Sequence, residues 1–575
     1  MKVADYVISR IADEGIDRVF LVYGAALGEL VDALTRTTRI KHVCPMHEQA
    51  GGFMAEGYAK TKGVPGFAMA TSGPGAGNLI TPIMNAYYDS VPMIFITGQV
   101  TTRFQRPHEG IRQLGFQETD VVGMVKPITK YAAMVKRPED VRYELEKALH
   151  LCKTGRPGPV VLDMPIDVQR AEFNPSWDGY EPRDEWRQLD RLYDAGQFLA
   201  DLERSERPGI LVGGGAYKAR DYIIEFATKH NIPCFPTWNA LDIITSDLPI
   251  YGGRIGTYGG PGRNFGIQNC DLVLAIGSRL SGRITGGMPE TFVQDARLYV
   301  VDVDENLLES RYQPRRADVN VLCDALDFSR TLAISPKRFD FSPWLARVRG
   351  WLEKYDNVKP HMLAEFHHYG FMRRLSEVLP DNAIVVSDTG GNVIMMAHAF
   401  RSKRGQRLFT NNGNTPMGFA FAAAIGAWFA DPSRPIICII GDGGFNMNIQ
   451  EIQTLVNYGA KVKTFIINNR IYGNTASYQN INFDGRCIAS AAPDYVPPNF
   501  SAIAKAYGVR CYSLAQWEHF ERIVGLTLQA DEPVIVDVLH EGYCTYEPRI
   551  SRFDLPIHDM HPFLDRDEFD DNMRH

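Results

Sequence analysis

The chain has 575 residues, 45% hydrophobic and 22% charged, with a formal net charge of −7, a length that exceeds one hydrophobic core and predicts about three domains. The balance is that of a globular protein, and the small acidic excess excludes a basic nucleic-acid-binding surface. No run of about 20 apolar residues occurs, which excludes a membrane-spanning helix.

The chain opens directly on an amphipathic pattern of Val3, Tyr6, Val7 and Ile11. Its nine cysteines form no CxxC pair, and several sit in apolar runs such as that around Cys438. Reduced core thiols and the lack of a charged-then-apolar leader place the protein in the cytoplasm. From residue 19 to 167, short β-branched runs at 19–23, 41–44, 66–71, 93–97 and 159–164 alternate with helical stretches such as 49–61. This alternation predicts a doubly wound parallel sheet in a first domain, 1–170. A polar stretch with Trp and Pro at 174–187 reads as a linker.

A second domain, 190–335, has strand candidates at 209–212, 271–276 and 298–303, and 335–360 reads as a helical connection. A third, 365–545, has strands at 384–387, 436–440, 463–467 and 534–538, in a layout like that of the first. Residues 546–575, rich in Asp, Arg, His and Pro, read as an extended tail lying over a neighbouring surface. The expected fold is α/β, with three doubly wound parallel-sheet domains.

Gly441-Asp442-Gly443-Gly444 follows the strand at 436–440, and about 25 residues later the strand at 463–467 ends in Asn468-Asn469. Two strand ends thus offer oxygen ligands at one sheet edge, where open α/β sheets bind their ligands and where a hard divalent ion bridging a diphosphate finds a carboxylate and an amide. Either motif alone is an ordinary turn; the pair at this spacing is specific.

The pair resembles the diphosphate motif of thiamine-diphosphate enzymes. That resemblance implies Mg²⁺ bound by Asp442, Asn469 and the carbonyl of Ile471, with Gly443, Gly444, Tyr472, Gly473 and Asn474 near the cofactor. Pro45-Met46-His47-Glu48-Gln49 matches the family's H-E-Q segment, which implies that Glu48 bonds the aminopyrimidine ring and helps it take the thiazolium proton. Thr71-Ser72-Gly73-Pro74-Gly75 resembles the turn beside that ring, with Gly24 close by. Met417 matches the residue that bends the cofactor, the Thr415 carbonyl accepts from its amino group, and Asn392 contacts the diphosphate. The first domain is then pyrimidine-binding and the third diphosphate-binding.

Gly115-Phe116-Gln117-Glu118-Thr119-Asp120 resembles the acetolactate synthase branch, where the glutamine reaches the substrate and the phenylalanine walls the pocket. Segments in the middle block look like that branch's FAD-associated ones, implying FAD near Arg156, Gly214, Tyr258, Gly259, Ser278, Arg279, Arg283 and Asp302, with no redox role. The resemblance covers almost the whole chain. It implies decarboxylation of pyruvate, transfer of its two-carbon unit to a 2-keto acid, and a homo-oligomer, a dimer at least and a tetramer among many relatives. The chain departs from that branch after Asn469, where Gly473-Asn474-Thr475-Ala476-Ser477-Tyr478 replaces a segment with two apolar residues and a tryptophan. The wetter acceptor side leaves open transfer to a nucleotide-linked keto-sugar, hydrolysis of a cyclic dione, and a non-catalytic cofactor-binding paralogue.

Overall fold

The computed structural model describes residues 1–575 except 109, 183–194, 310–312, 314, 544, 553 and 574–575. The end of the expected linker, the expected start of the second domain at 190 and Cys544 lie outside the described residues. Among those described, seventeen strands form three all-parallel sheets. The first comprises β1 (Arg18–Val22), β2 (Lys41–Val43), β3 (Gly66–Ala70), β4 (Met93–Gln99), β5 (Tyr131–Met134) and β6 (Pro159–Pro165), in the order β2-β1-β3-β4-β6-β5. The second comprises β7 (Pro208–Val212), β8 (Cys234–Pro236), β9 (Leu272–Ile276), β10 (Arg297–Asp302) and β11 (Val319–Leu322), in the order β11-β10-β9-β7-β8. The third comprises β12 (Ile384–Ser387), β13 (Arg407–Phe409), β14 (Ile436–Gly441), β15 (Val462–Asn468), β16 (Arg510–Leu514) and β17 (Val534–Leu539), in the order β13-β12-β14-β15-β17-β16. Counted from its own first strand, the third sheet repeats the order of the first.

Interior strands such as β4, β6 and β15 are buried along their whole length. Helices cover both faces of such sheets, which is why these strands read as unbroken apolar runs. The three-domain α/β architecture agrees with the alternation in the sequence. Five strands that the hydrophobic runs do not predict, β5, β8, β11, β13 and β16, all lie at sheet edges.

The first and third domains share one hydrophobic core. Its centre is the crossing of α1 (Glu48–Lys62) with α2 (Phe419–Ala430), whose residues 419–427 are all buried. A Cβ on Gly57 would overlap the Ala423 carbonyl, and one on Gly426 the Met54 carbonyl, so the helices meet backbone to backbone. Phe53 meets Phe419 edge-on at 5.5 Å beside the crossing. Arg407 joins all three domains: its Nε donates to the Lys60 carbonyl at 2.9 Å and its guanidinium pairs with Asp242.

The connection at 335–360 carries helix Ser342–Lys354, and Trp344 Nε1 anchors it to the Pro208 carbonyl at 3.0 Å. The surface covered by the C-terminal segment is the chain's own second domain. Ile550 N donates to the Thr257 carbonyl at 3.0 Å, Asn264 Nδ2 donates to the Ile557 carbonyl at 2.6 Å, and helix Arg566–Met573 follows. No helix among the described residues is long and apolar enough to cross a membrane.

Adding a methyl group at the crossing forces α1 and α2 apart. Gly426→Ala is expected to destabilise the protein by about 1–3 kcal/mol, the usual cost of overpacking. Gly525→Ala, on helix Phe520–Gln529 with open space at the Cβ position, is expected to be neutral or to stabilise by up to ~1 kcal/mol. Urea unfolding followed by far-UV circular dichroism measures both; equal midpoints would show that the crossing tolerates separation.

Candidate active site

Each sheet reverses its strand order between its own first and third strands, at β1/β3, β7/β9 and β12/β14. Ligands of open α/β sheets bind beyond the carboxyl ends of the strands at such a reversal. At all three reversals a glycine brings the two strand ends into contact. A Cβ on Gly24 would overlap Thr71, one on Gly213 the Gly277 carbonyl, and one on Gly444 the Asp388 carboxylate.

In the first domain, Glu48 is the opening residue of α1, after the N-cap His47, whose Nδ1 accepts from Gln49 N at 3.2 Å. Glu48 Oε2 accepts from Asn78 Nδ2 at 2.9 Å, and Oε1 faces Gly75, which also touches the Thr71 methyl group. Gln117, in the segment after β4, packs on Gly73. The structure therefore gathers Gly24, Glu48, Thr71 and Gln117 at one sheet edge. Phe116 stands beside them but is 86% exposed in the single chain.

In the third domain, the register pairing Gly441 with Ile467 sets Asp442 beside Asn468 and Asn469. Asp442 opens α3 (Asp442–Met447) and is buried; its Oδ1 accepts from Gly443 N at 2.9 Å, while Oδ2 is buried without a hydrogen-bond partner. Burial pushes this carboxyl up to about 7, against the pull of the Gly443 amide and of the Tyr495 hydroxyl and Arg470 amide, which face it without completing a hydrogen bond to Oδ2. Asn469 is also buried, and its Nδ2 donates to the Tyr543 carbonyl at 2.6 Å. Gly443 faces the Tyr472 ring and the Met417 methyl group, and Tyr472 stacks on Tyr495 with ring centroids 4.0 Å apart. Gly473 faces Asn469 Nδ2 and the Tyr546 hydroxyl, and Asn392 lies against Gly441. Asn474 is exposed on α4 (Gly473–Asn482), as is Tyr478.

Two features invisible in the sequence hold the loop that carries Thr415 and Met417. Asp388, fully enclosed at the end of β12, accepts from Gly418 N at 3.1 Å and Ala420 N at 3.0 Å; burial still pushes it up to about 6. From the first domain, partly buried Lys60 bridges Glu56 (2.8 Å) and Asp89 (3.1 Å) and donates to the Thr410 carbonyl (3.0 Å). Asp89 in turn accepts from the amides of Asn412 at 3.2 Å and Gly413 at 2.8 Å. Gln117, Thr415 and Arg470 all have positive φ, 64°, 53° and 62°. Such conformations cost about 1–3 kcal/mol each and gather where surrounding structure imposes them for function.

In the second domain, Gly214 lies against Asn239, and Gly213 brings the β7 end to the Gly277-Ser278 turn. Arg156 reaches in from the first domain, tied to Ser90 Oγ at 2.8 Å and Asp304 at 3.2 Å. Asp302 ends β10 and accepts from Asp304 N at 3.0 Å; burial raises its carboxyl. The Tyr258 carbonyl bonds His398 Nε2 at 2.6 Å, and Gly259 packs on Asn264. Arg279 is exposed in the turn after β9, and Arg283 lies 5.6 Å from the centre of the Trp238 ring.

Sequence reasoning missed Arg254, which sits 5.4 Å from the Trp238 ring centre and is 2% exposed. Its Nη2 donates to the Met396 carbonyl at 3.3 Å, while Nε, Nη1 and the Trp238 Nε1 are buried without partners. Burial pulls this guanidinium down to about 9. The one available signal was an arginine inside the glycine-rich run 252–260.

Family models match all three domains: "Thiamine pyrophosphate enzyme, N-terminal TPP binding domain" over residues 1–124, the central domain over 196–332, and the C-terminal TPP binding domain over 388–538. The chain is 34% identical over 538 residues to the acetolactate synthase large subunit of Parasynechococcus marenigrum, covering 91% of this chain and 85% of that one. It is 33% identical over 568 residues to a probable acetolactate synthase large subunit of Methanocaldococcus jannaschii, covering 94% and 92%. It is 32% identical over 515 residues to the large subunit of acetolactate synthase isozyme 1 of Escherichia coli, covering 89% of each. With its own crevices at the matched strand ends, the chain belongs to the thiamine pyrophosphate enzyme family, in the acetolactate-synthase-like branch, and is a thiamine-diphosphate-dependent enzyme.

Proposed function

We propose that this enzyme is a cytoplasmic carboligase that removes carbon dioxide from pyruvate and passes the remaining two-carbon unit to a second 2-keto acid. The observation that carries the reading is a buried carboxylate oxygen, Asp442 Oδ2, without a partner beside buried Asn469, in a chain that places Glu48 at the matching edge of a sheet with the same strand order.

An unpartnered buried carboxylate oxygen fits a cation, and Asp442, Asn469 and the Ile471 carbonyl are the hard oxygen ligands that Mg²⁺ takes. Gly443, Gly444, Asn392, Tyr472, Gly473 and Asn474 border the place for a diphosphate. When bound, thiamine diphosphate supplies the electron sink for decarboxylation and carbon–carbon transfer. The chain's groups do the positioning. Glu48, oriented by Asn78, holds and returns a proton at the aminopyrimidine nitrogen; the Thr415 carbonyl and Met417 orient that ring; Gln117 donates to the substrate and Phe116 closes the pocket.

Large apolar side chains stand exposed near both crevices: Phe116 at 86%, Tyr478 at 59% and Ile488 at 72%. A second copy of the chain covers such a surface economically, so the reading includes a homo-oligomer, a dimer at least, with Glu48 and Asp442 of different subunits meeting on one cofactor. The middle crevice fits FAD: the reversal point is lined by glycine, Arg254 and Trp238 hold buried N–H groups without partners, and Arg283 lies against the Trp238 ring. No step of the reaction requires its redox chemistry. The described cysteines are all unpaired, as suits the cytoplasm.

On this reading the protein supplied with thiamine diphosphate, Mg²⁺ and pyruvate releases carbon dioxide and forms acetolactate, and the purified protein shows flavin absorbance. Glu48→Gln is expected to lower turnover by at least ~10²-fold with cofactor affinity largely retained. Carbon dioxide release that rises only with a nucleotide-linked keto-sugar would overturn the 2-keto acid acceptor, and none under any condition would overturn pyruvate as donor. Tyr478→Trp, replacing an exposed phenol by a larger, less polar indole, is expected to shift the product ratio between two competing 2-keto acids by about 10-fold or more; chromatography of the products measures it.

A further inference from the structure

Glu451 belongs to neither crevice and is fully buried in the one-turn segment Ile449–Glu451 that follows α3. Both of its carboxylate oxygens lie 3.1 Å from the amide nitrogen of Met46, in the first domain. The Thr454 hydroxyl donates to Oε2 at 2.6 Å, and the His47 amide also donates to the carboxylate. A second side chain of the third domain, Tyr458, accepts from the Cys44 amide at 2.8 Å. Burial pushes the Glu451 carboxyl up to about 7 despite these donors, and no cation among the described residues offsets it.

A buried carboxylate with no counter-charge is expensive to keep. A glutamine could accept from one amide, but its NH₂ group would meet N–H donors where Glu451 has only acceptors. The amides held are those of the two residues directly before Glu48. Met46 is exposed, so the segment has little apolar packing of its own to fix its path.

We infer that Glu451 is a positioning residue for Glu48: the third domain, besides offering a diphosphate half-site of its own, holds from behind the backbone that aims the same chain's proton-carrying acid. A displacement of about 1 Å in such a group suffices for losses near 10²-fold. This inference rests on the proposed role of Glu48.

The test uses the full-length protein with thiamine diphosphate and Mg²⁺, comparing wild type, Glu48→Gln, Glu451→Ala and Glu451→Gln. Three quantities are read: cofactor affinity, hydrogen–deuterium exchange at the thiazolium carbon of the bound cofactor, and backbone amide exchange of residues 44–49 in the cofactor-free protein. Glu451→Ala is expected to slow thiazolium exchange by about 10- to 100-fold with cofactor affinity within about 3-fold, and to lose amide protection at 46 and 47. Glu451→Gln, keeping one acceptor oxygen, is expected to fall between; if Glu451→Ala does not fold, this variant decides alone. Wild-type thiazolium exchange in the folded Glu451 variants, with Glu48→Gln slow, overturns the positioning role and leaves the functional reading standing. A wild type that does not accelerate the exchange overturns both.

Discussion

Everything functional in this molecule depends on two helices, α1 and α2, being allowed to touch backbone to backbone. Gly57 and Gly426 remove the side chains that would hold them apart, and the contact fuses the cores of the first and third domains. Close approach then brings polar groups within reach across the seam: Lys60 to the Thr410 carbonyl, Asp89 to the 412–413 amides, Glu451 to Met46. The same helix that makes the crossing begins with Glu48. Its register in the interface thus sets the starting point of the candidate proton-carrying group, and the packing constraint and the catalytic geometry are one constraint.

The three sheets show how one architecture is given different chemistry. All reverse strand order between their first and third strands and all place a glycine contact there. What differs is the polar group beside the contact. The first sheet offers an acid with an amide partner, the third a buried carboxylate with an open oxygen, and the second a set of arginines around an indole. The crevice is supplied by topology and its selectivity by a few residues just past the strand ends.

Interior strands and the principal motifs were legible in the sequence for the same physical reason. A strand buried on both faces must be apolar throughout, and a residue placed just after it has a known address. The strands that escaped detection, β5, β8, β11, β13 and β16, are edges of three to five residues. Two of these lie in a wetter environment and have no need to be continuously apolar: β11 is Val-Asn-Val-Leu with only Val321 buried, and β5 is half-buried throughout, whereas β8 and β13 are mostly buried but only three residues long, too short for a run to stand out. Arg254 and Glu451 escaped for another reason. Glu451 has no distinctive local sequence and Arg254 only its glycine-rich surroundings, because the role of each is set by a partner more than 100 residues away: Met396 for Arg254, Met46 for Glu451.

A raised pKa alone does not separate a site residue from a structural one here. Asp163 and Asp442 are both buried, and burial pushes each up to about 7. Asp163 has both oxygens occupied, by Thr97 Oγ1 at 2.7 Å and Gln99 Nε2 at 2.9 Å; it is a closed internal network that ties neighbouring strand positions together. Asp442 has one oxygen occupied and one enclosed without a partner. Leaving a buried acceptor unmade costs about 1–3 kcal/mol, a cost that folding alone gives no reason to carry. A divalent cation at that oxygen removes it and favours the ionised form at the same time. The open oxygen counts together with charge and place: Asp242 also has one buried oxygen without a hydrogen bond, but its other oxygen pairs with the Arg407 guanidinium, whereas Asp442 has no such counter-charge among the described residues and stands beside Asn469 at a strand-order reversal.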